Sequence, residues 1–531
     1  MLTSDLLGRL DLLGAVKDEL LASNRLLPKR PDHLLLATDA TRVERWLRPR
    51  IRKGVIAQAA DVVFADKGWR GTRPLNVMSL EHRVLYQALV KELAAVLPAH
   101  LTRRTDYEAF QRAPLMVDGA AYISKTDVAS CYVYIDHDVL ADELISQTGD
   151  ELAVDALREL LALIMGRRVG LPQIHQASRV LGDSYVDPVR RTLRRNGIAA
   201  FTYSDDFRFA SPSLGRARSA LTACEAELRV RGLVLNERKT YTYARDNYED
   251  SLSAYERAEQ NLFSEGSLTA AEAGLLEDDY EDEEAIAGDA TVAPMSLGVA
   301  PIGGAIDDDE LIEGPSTATA TADDDIDQIS AAAQKAWRMW TLEEESEEVQ
   351  SSLEATITQS LISRALPVLG QVQDSGPLEV LSALFRYEAG LAPQIASYLI
   401  NFCSHGPSAR AEVRDAIDAV LSEDLTNVWQ EIWIAFAIGS VRRTRTPGTR
   451  THLDWLQQCV ADGPDGLAAT AAATLGRLQY GEPDLLAAAV DRIAPEWRQL
   501  ALLGLYQLDS KRANESADHE LDRILLQVAS H

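Results

Sequence analysis

The sequence predicts an α+β fold for the first half of the chain and an all-α fold for the second half. Up to about residue 250, helical and strand-like patterns alternate along the chain. From residue 331 onwards, only amphipathic helical stretches recur, with breaks at Gly, Pro and Asp. Since 531 residues exceed one ordinary core, we predict two domains, 1–250 and 331–531, with a connecting segment over 251–330.

In the first half, helices are predicted where apolar residues recur every three or four positions, and strands where β-branched and aromatic residues cluster. Residues 1–120 are predicted to be mostly helical, with basic interruptions. The later elements are predicted, in order, as a strand over 121–134, a helix over 138–165, strands over 198–203 and 207–210, a helix over 217–231 and an extended segment over 234–243.

The second half carries a succession of helical stretches whose pairs repeat at roughly 30–45 residues. That spacing predicts an α-solenoid of HEAT-like repeats, although an irregular helical bundle stays open because no repeat consensus is present. The half is acidic overall, but Arg442, Arg443 and Arg445 form a local basic cluster that could line a groove.

The formal net charge of −28 is unevenly distributed. Basic and acidic residues nearly balance up to residue 257, so this part can meet a phosphate backbone, whereas 258–334 contain no Lys or Arg. Like charges repel and few apolar residues are present in 265–328, so this segment is predicted to be a flexible linker or insertion. Two interpretations stay open: a solvated spacer, and a nucleic-acid mimic that shields the basic half.

Targeting and disulfide signals are absent from the sequence. No apolar run reaches the length of about eighteen residues that a membrane helix needs, and the N-terminus lacks a basic start and an apolar stretch. The four cysteines, Cys131, Cys224, Cys403 and Cys459, lie far apart in no metal or disulfide spacing. We therefore predict a cytoplasmic protein with no membrane partner.

Three carboxylates carry the chemistry that the sequence predicts. Asp205 and Asp206 lie in the turn of a predicted hairpin and would repel each other unless a cation lies between them. Asp127 lies on a strand-like segment and can meet that pair across a sheet. Three such acids can hold two divalent cations, one beside an attacking hydroxyl and one beside a leaving pyrophosphate. This pattern predicts transfer of a nucleotidyl group.

Two further stretches fit a nucleotide. Gly170-Leu-Pro-Gln173 is a turn before a helix, which exposes backbone N–H groups and the Gln173 side chain to a sugar or phosphate. Lys239 follows a helix and a Gly in the stretch 232–240, where its ammonium group could neutralise or protonate a leaving pyrophosphate.

In this order and spacing, the four stretches resemble the reverse transcriptase family. Asp127 matches motif A, 170–173 motif B, Tyr203-Ser-Asp-Asp206 motif C and 236–240 motif D, and the stretch 72–89 looks like the early fingers motifs. The resemblance covers about residues 40–245. It implies a right-hand polymerase with fingers and palm in 1–250, followed by the HEAT-like helical domain.

The resemblance also implies roles for individual residues. Asp127, Asp205 and Asp206 would bind two Mg²⁺ ions, with Mn²⁺ as a substitute, and Lys239 would be the catalytic lysine of motif D. Tyr132 would sense the 2′ carbon of the incoming nucleotide and so select deoxynucleotides. The other residues implied to bind this nucleotide are Lys125, Gln173 and Tyr203. The implied partners are dNTPs and an RNA or DNA strand.

Several departures from the family's usual motifs indicate which subgroup of reverse transcriptases the sequence resembles. The family's Leu-Pro-Gln-Gly reads Leu-Pro-Gln-Ile174 here, which puts the close backbone approach allowed by Gly in doubt. Retron marks are absent, and a long helical region follows motif D in place of a usual thumb. This organisation is similar to abortive-infection and defence-associated bacterial reverse transcriptases, some of which work without a template, prime on a protein tyrosine or form oligomers. A noncoding RNA partner and a homo-oligomer stay open.

Two other functions stay open at this stage. One is a catalytically idle polymerase-like scaffold that binds nucleic acid or protein, against which the presence of all three acids argues. The other is an RNA polymerase or primase-like activity, against which Tyr132 argues, because a bulky residue there would crowd a ribonucleotide 2′-hydroxyl.

Overall fold

The computed structural model describes residues 2–22, 24–55, 58–67, 71–103, 106–262, 322–344, 352–423, 426–441 and 451–530. Most of the predicted acidic segment over 265–328 lies outside the described residues, as does the basic cluster at 442–445. The acids from Asp323 to Asp327 fall within a helix. None of the described helices is long and apolar enough to cross a membrane.

The chain starts with four helices that pack through buried leucine, valine and alanine side chains. Side-chain oxygens of Thr3, Asp11 and Asp39 accept hydrogen bonds from first-turn amides and so begin three of these helices. The four are α1 (Ser4–Arg9), α2 (Leu12–Leu21), α3 (Pro31–Ala37) and α4 (Ala40–Lys53).

An antiparallel hairpin follows α4, where the sequence had indicated mostly helix. Its strands are β1 (Asp61–Asp66) and β2 (Thr72–Val77). Val63 and Ala65 point inward from β1, while Val62 and Phe64 stay exposed. The prediction of helix missed this hairpin because both strands are short and lie between long helical segments, and their buried side chains pack against C-terminal helices that are remote in sequence.

The rest of the first half combines helices with a four-stranded antiparallel sheet in the order β4-β5-β3-β6. The elements are α5 (Leu80–Ala94), α6 (Ala99–Thr102), α7 (Tyr107–Arg112), β3 (Tyr122–Asp127), α8 (Cys131–Tyr134), α9 (His137–Thr148), α10 (Glu151–Met165), α11 (Gln176–Arg195), β4 (Ala199–Tyr203), β5 (Asp206–Ser211), α12 (Leu214–Val230), β6 (Tyr241–Ala244) and α13 (Arg245–Leu262). The predicted α+β class is confirmed.

Three predicted boundaries were wrong. The strand predicted over 121–134 ends at Asp127, and its remainder contains the short helix α8. The helix predicted over 138–165 is two helices, because Gly149 adopts a φ of 69° that ends α9 and Asp150 begins α10. In the extended segment predicted over 234–243, a turn of 3-10 helix at Glu237–Lys239 precedes β6.

One face of the sheet is covered by α11 and α12. Phe207 and Phe209 of β5 point to that side and are fully buried in one core with Leu181 and Tyr185 of α11. Burial of each such side chain contributes roughly 1.5–3 kcal/mol. The opposite face carries the alternate residues of the strands, including Asp127 and Asp206.

The second half is helical wherever it is described, which confirms the predicted helical C-terminal region. Its helices are α14 (Ala322–Glu344), α15 (Ser352–Gln371), α16 (Gly376–Glu379), α17 (Leu381–Tyr387), α18 (Ala392–Cys403), α19 (Pro407–Ser422), α20 (Val428–Ile438), α21 (Thr451–Asp462), α22 (Asp465–Arg477), α23 (Pro483–Arg492), α24 (Pro495–Leu508), α25 (Ser510–Ser516) and α26 (Glu520–Ala529).

The helical region shares its core with the first half. Val63, Ala65 and Leu75 of the β1–β2 hairpin belong to the same buried cluster as the helices from α14 to α24. Polar contacts reinforce this: Asn427 donates to Asp66 at 2.8 Å, and Trp497 donates to Asp61 at 2.8 Å. The hairpin is therefore held between the two halves.

The crossing of α22 and α24 gives a stability prediction. A Cβ at Gly504 would collide with the Ala472 carbonyl and lie 2.7 Å from Ala473 Cα. Gly504→Ala should therefore lower the free energy of unfolding by about 1–3 kcal/mol, measured by urea denaturation. Gly215→Ala is the control, because a Cβ at this exposed helical position meets nothing within 4 Å. Equal midpoints for the two variants would contradict the close crossing.

Candidate active site

The site is built on the pairing of β3 with β5. Asp127, the last residue of β3, is the cross-strand partner of Asp206, the first residue of β5. Paired residues of antiparallel strands point to the same face, with Cβ atoms about 4.5–5.5 Å apart. Asp127 is 6% exposed and Asp206 is fully buried. The pairing therefore places two carboxyl groups side by side in a region with little water.

Asp127 is stabilised from the segment that precedes β6. Asn236 Nδ2 donates to Asp127 Oδ2 at 3.1 Å, and Lys239 Nζ lies 3.5 Å from the same oxygen. Burial raises the pKa of Asp127, the charge of Lys239 opposes this shift, and the nearby Asp206 carboxylate adds to it, so the net direction is upward. The site thus disfavours two bare negative charges, and Lys239 offsets part of their repulsion.

Asp206 has a different partner. Arg208, two residues along β5 and 1% exposed, places its guanidinium Nη1 3.4 Å from Asp206 Oδ1. The other oxygen, Oδ2, is buried and accepts no hydrogen bond from any group in the described part of the chain. A buried carboxylate oxygen without a donor is costly, so this atom is suited to a cation.

Arg208 lies beneath aromatic residues. Its guanidinium carbon lies 5.0 Å from the centre of the Phe110 ring, and Tyr107 and Phe110 of α7 pack on the Tyr203 ring. Tyr203 is only 8% exposed as a result. This packing fixes the hairpin that carries motif C, and the contact between Tyr203 and a nucleotide stays a prediction.

The hairpin turn consists of Ser204 and Asp205, one residue shorter than predicted, because Asp206 already pairs with Tyr203 in the sheet. Ser204 adopts a φ of 50°. The carbonyl of Asp205 accepts from Val128 N at 3.1 Å, which ties the turn to the end of β3. Asp205 directly precedes Asp206 in the sequence and is half-buried. From the turn, its side chain can approach the carboxyl groups of Asp127 and Asp206.

Tyr132 reaches the hairpin turn from α8. Its hydroxyl is 3.1 Å from Ser204 Oγ, and its ring contacts Gly182 of α11 so closely that a Cβ at Gly182 would lie 3.3 Å from the ring. The Tyr132 carbonyl accepts from Leu171 N at 2.8 Å. The stretches assigned to motifs A, B and C therefore meet at this residue, motif B through the backbone and motif C through the side chain.

The motif B turn approaches the chain around Tyr132 very closely. At Gly170, where φ is 96°, a Cβ would lie 3.2 Å from the Val133 carbonyl oxygen, so Gly is required. Gln173 is half-buried, and its backbone N–H points toward Asn76 Oδ1 of β2 at 3.5 Å. Ile174 takes a φ of 57°, where a β-branched residue is unusual and the cost is roughly 1–2 kcal/mol.

Lys125 is half-buried on β3, two residues before Asp127 and therefore on the same face of the sheet. Its cross-strand partners are Arg208 of β5 and Tyr241 of β6. The position is compatible with the predicted contact to phosphates, which stays a prediction.

The donor set fits a hard divalent cation. Carboxylate oxygens are the ligands that Mg²⁺ and Mn²⁺ prefer, and Asp206 Oδ2 is buried without a donor beside Asp127. Over the described ranges, no three His, Cys, Asp or Glu side chains are already gathered as a metal site. The pair Asp127 and Asp206 would supply ligands to such a cation, and the metal triad of Asp127, Asp205 and Asp206 stays a prediction.

Sequence reasoning missed two residues at the site. Arg208 lies between two phenylalanines in β5, and a charged residue in an otherwise apolar strand next to two acids was the signal available. Asn76 could not be found, because its contact with the motif B turn joins positions that are remote in sequence.

The pairing of Asp206 with Arg208 predicts a stability effect. Arg208→Met leaves the buried Asp206 carboxylate without its positive partner, so the free energy of unfolding should fall by about 3–5 kcal/mol, measured by urea denaturation. The double variant with Asp206→Asn should recover part of the loss, because the uncompensated charge is gone. An unchanged midpoint for Arg208→Met would show that the pair contributes nothing.

Comparison with known proteins agrees with this geometry. Residues 65–260 match the family model described as reverse transcriptase (RNA-dependent DNA polymerase). No curated protein matches the chain. The matched stretch spans the four stretches that resemble motifs A to D, with Asp127, Asp205, Asp206 and Lys239 among its residues. Residues 65–260 are therefore a reverse transcriptase domain, which belongs to the nucleotidyltransferase class of enzymes.

Proposed function

We propose that this protein is a DNA polymerase of the reverse transcriptase type, which adds dNTPs by two-metal phosphoryl transfer. The observation that carries the proposal is the buried cross-strand pair of Asp127 and Asp206, with Asp206 Oδ2 left without a donor among the described groups. This pair lies in a domain that matches the reverse transcriptase family.

In this mechanism, Asp127, Asp205 and Asp206 would hold two divalent cations, which would supply Lewis acidity for the transfer when bound. Asn236 orients the Asp127 carboxylate through its hydrogen bond. Lys239 lies beside Asp127 and is half-exposed, so its ammonium group can also neutralise or protonate pyrophosphate. Lys125 and Gln173 contact the incoming nucleotide from the sheet and from the motif B turn.

Tyr132 selects deoxynucleotides in this proposal. Its ring cannot swing aside freely, because Gly182 lies against one side and its hydroxyl contacts Ser204. A rigid ring at this point excludes a 2′-hydroxyl by steric overlap, which discriminates more sharply than a mobile side chain would.

For the whole chain, we propose a right-hand arrangement in which residues 1–250 supply fingers and palm. The helical domain over 331–531, organised as HEAT-like repeats, takes the place of a thumb, and 251–330 connects the two. The packing of α20 and α24 against the β1–β2 hairpin supports a role for the helices in holding the fingers. We further propose that the protein acts in the cytoplasm in antiviral defence, with RNA as template or without any template.

The proposed metal triad of Asp127, Asp205 and Asp206 predicts an effect on activity. Asp205→Ala should reduce the incorporation of labelled dNTPs by purified full-length protein with Mg²⁺ on the order of a hundredfold or more, because the metal site loses a ligand. Asp118→Ala, which removes an exposed acid from the turn before β3, should keep wild-type incorporation. Incorporation that survives Asp205→Ala would contradict the mechanism and favour a catalytically idle scaffold.

The same assay, run with and without added RNA, distinguishes RNA-directed from untemplated synthesis. Free product that requires added or co-purified RNA identifies RNA-directed synthesis. Product that forms without RNA and stays on the protein through denaturation identifies untemplated, protein-primed synthesis.

The proposed role of Tyr132 predicts an effect on the choice between dNTPs and rNTPs. Tyr132→Ala should raise the kcat/KM for rNTPs relative to dNTPs by about tenfold or more, because the ring no longer overlaps the 2′-hydroxyl. Tyr134→Ala, an exposed tyrosine on the same short helix, should leave the ratio unchanged. A dNTP preference that persists in Tyr132→Ala would show that selection arises elsewhere.

A further inference from the structure

The motif B turn rests on a buried acid from the N-terminal helices. His175 directly follows the turn, and its Nε2 lies 3.1 Å from Glu19 Oε1 of α2. Glu19 is 4% exposed, and no sequence motif marks it. The two residues are far apart along the chain, so only the tertiary fold joins them.

His175 begins α11. Its Nδ1 accepts a hydrogen bond from Ala177 N at 3.2 Å, and Nε2, on the other side of the ring, lies at ion-pair distance from the Glu19 carboxylate without an aligned hydrogen bond. The Tyr86 ring lies 4.9 Å from the imidazole ring between centroids, and its hydroxyl is 2.8 Å from Ser178 Oγ. Three contacts therefore fix the imidazole: its hydrogen bond as the cap of α11, its contact with Glu19, and its packing against the Tyr86 ring.

Glu19 is fixed in turn. Arg83 of α5 donates from Nε to Glu19 Oε2 at 2.9 Å and also contacts the Glu19 carbonyl. Burial alone would raise the pKa of Glu19, but its contacts with the His175 imidazole and the Arg83 guanidinium outweigh that effect and lower the pKa to about 2. Glu19 is therefore a rigid, ionised anchor, with one oxygen toward Arg83 and the other toward His175.

The turn needs such an anchor. Ile174, between Gln173 and His175, occupies the left-handed region with φ 57°, which a β-branched residue does not favour by itself. Its side chain packs against the buried cluster that joins the β1–β2 hairpin to the C-terminal helices. External contacts at Ile174 and His175 thus hold a conformation that the local sequence would not select.

We propose that Glu19 is a positioning residue for nucleotide binding, which acts through His175 to fix the motif B turn and hence Gln173. This inference rests on the proposed function. Glu19 contacts no reacting atom, so its loss should weaken nucleotide binding and leave the chemical step intact. The expected signature is an increase in KM for dNTPs at nearly constant kcat.

The test compares full-length variants by steady-state dNTP incorporation. Glu19→Gln should raise the KM about tenfold, the effect of losing one charge-assisted contact, with kcat within about twofold of the wild type. His175→Asn, which can still cap α11, should raise the KM to a value similar to that of Glu19→Gln. The double variant should be no worse than either single variant, because both remove the same contact.

Glu81→Gln is the matched control. Glu81 is as buried as Glu19, but its ion pair is with Arg50 of α4 and not with His175. It should lower the melting temperature to a similar extent and keep the wild-type KM. An equal rise in KM for Glu81→Gln and Glu19→Gln, or a fall in kcat as the main effect, would overturn the proposal. If Glu19→Gln does not fold, His175→Asn decides by the same criteria.

Hydrogen exchange separates this inference from the proposed function. Amides of 171–177 should exchange faster in Glu19→Gln than in the wild type and in Glu81→Gln, whether or not the protein incorporates dNTPs. Absence of incorporation by the wild type would refute the polymerase function alone. Unchanged exchange in Glu19→Gln would refute the positioning role, whatever the activity.

Discussion

The site depends on one constraint: the register of β3 against β5, which sets Asp127 opposite Asp206. A shift by one residue would turn each side chain to the other face of the sheet and remove the pair from the site. The register is secured on the helical side by Phe207 and Phe209, which are fully buried. Hydrophobic packing on one face therefore maintains an unfavourable proximity of acids on the other.

The cost of that proximity is met by neighbours from several elements. Lys239 and Asn236 approach Asp127 from the segment before β6, and Arg208 approaches Asp206 from within β5. The aromatic rings of Phe110 and Tyr203 enclose the Arg208 end of this face. The Asp127 and Asp206 end keeps an unpartnered buried oxygen within the described residues, which is where an added cation gains most.

The two halves of the chain are coupled around the same site. The β1–β2 hairpin shares a core with the C-terminal helices, while Asn76 of β2 accepts from the motif B turn. Glu19 and Arg83 support that turn from the N-terminal helices. The motif B turn is thus held by contacts from both ends of the chain, and the helical region has a structural reason to influence the reverse transcriptase domain.

The sequence by itself determined the elements whose signals are local. Asp205 and Asp206 between β-forming runs predicted the hairpin, Gly170-Leu-Pro predicted the turn before α11, and helical periodicity predicted the C-terminal helices. Only the tertiary structure decided the β1–β2 hairpin, the partnership of Arg208 with Asp206, and the contact of Glu19 with His175. Periodicity and turn chemistry act over a few residues, whereas the burial of the β1–β2 hairpin and of Arg208, and the contact of Glu19 with His175, depend on elements that only the folded chain brings together.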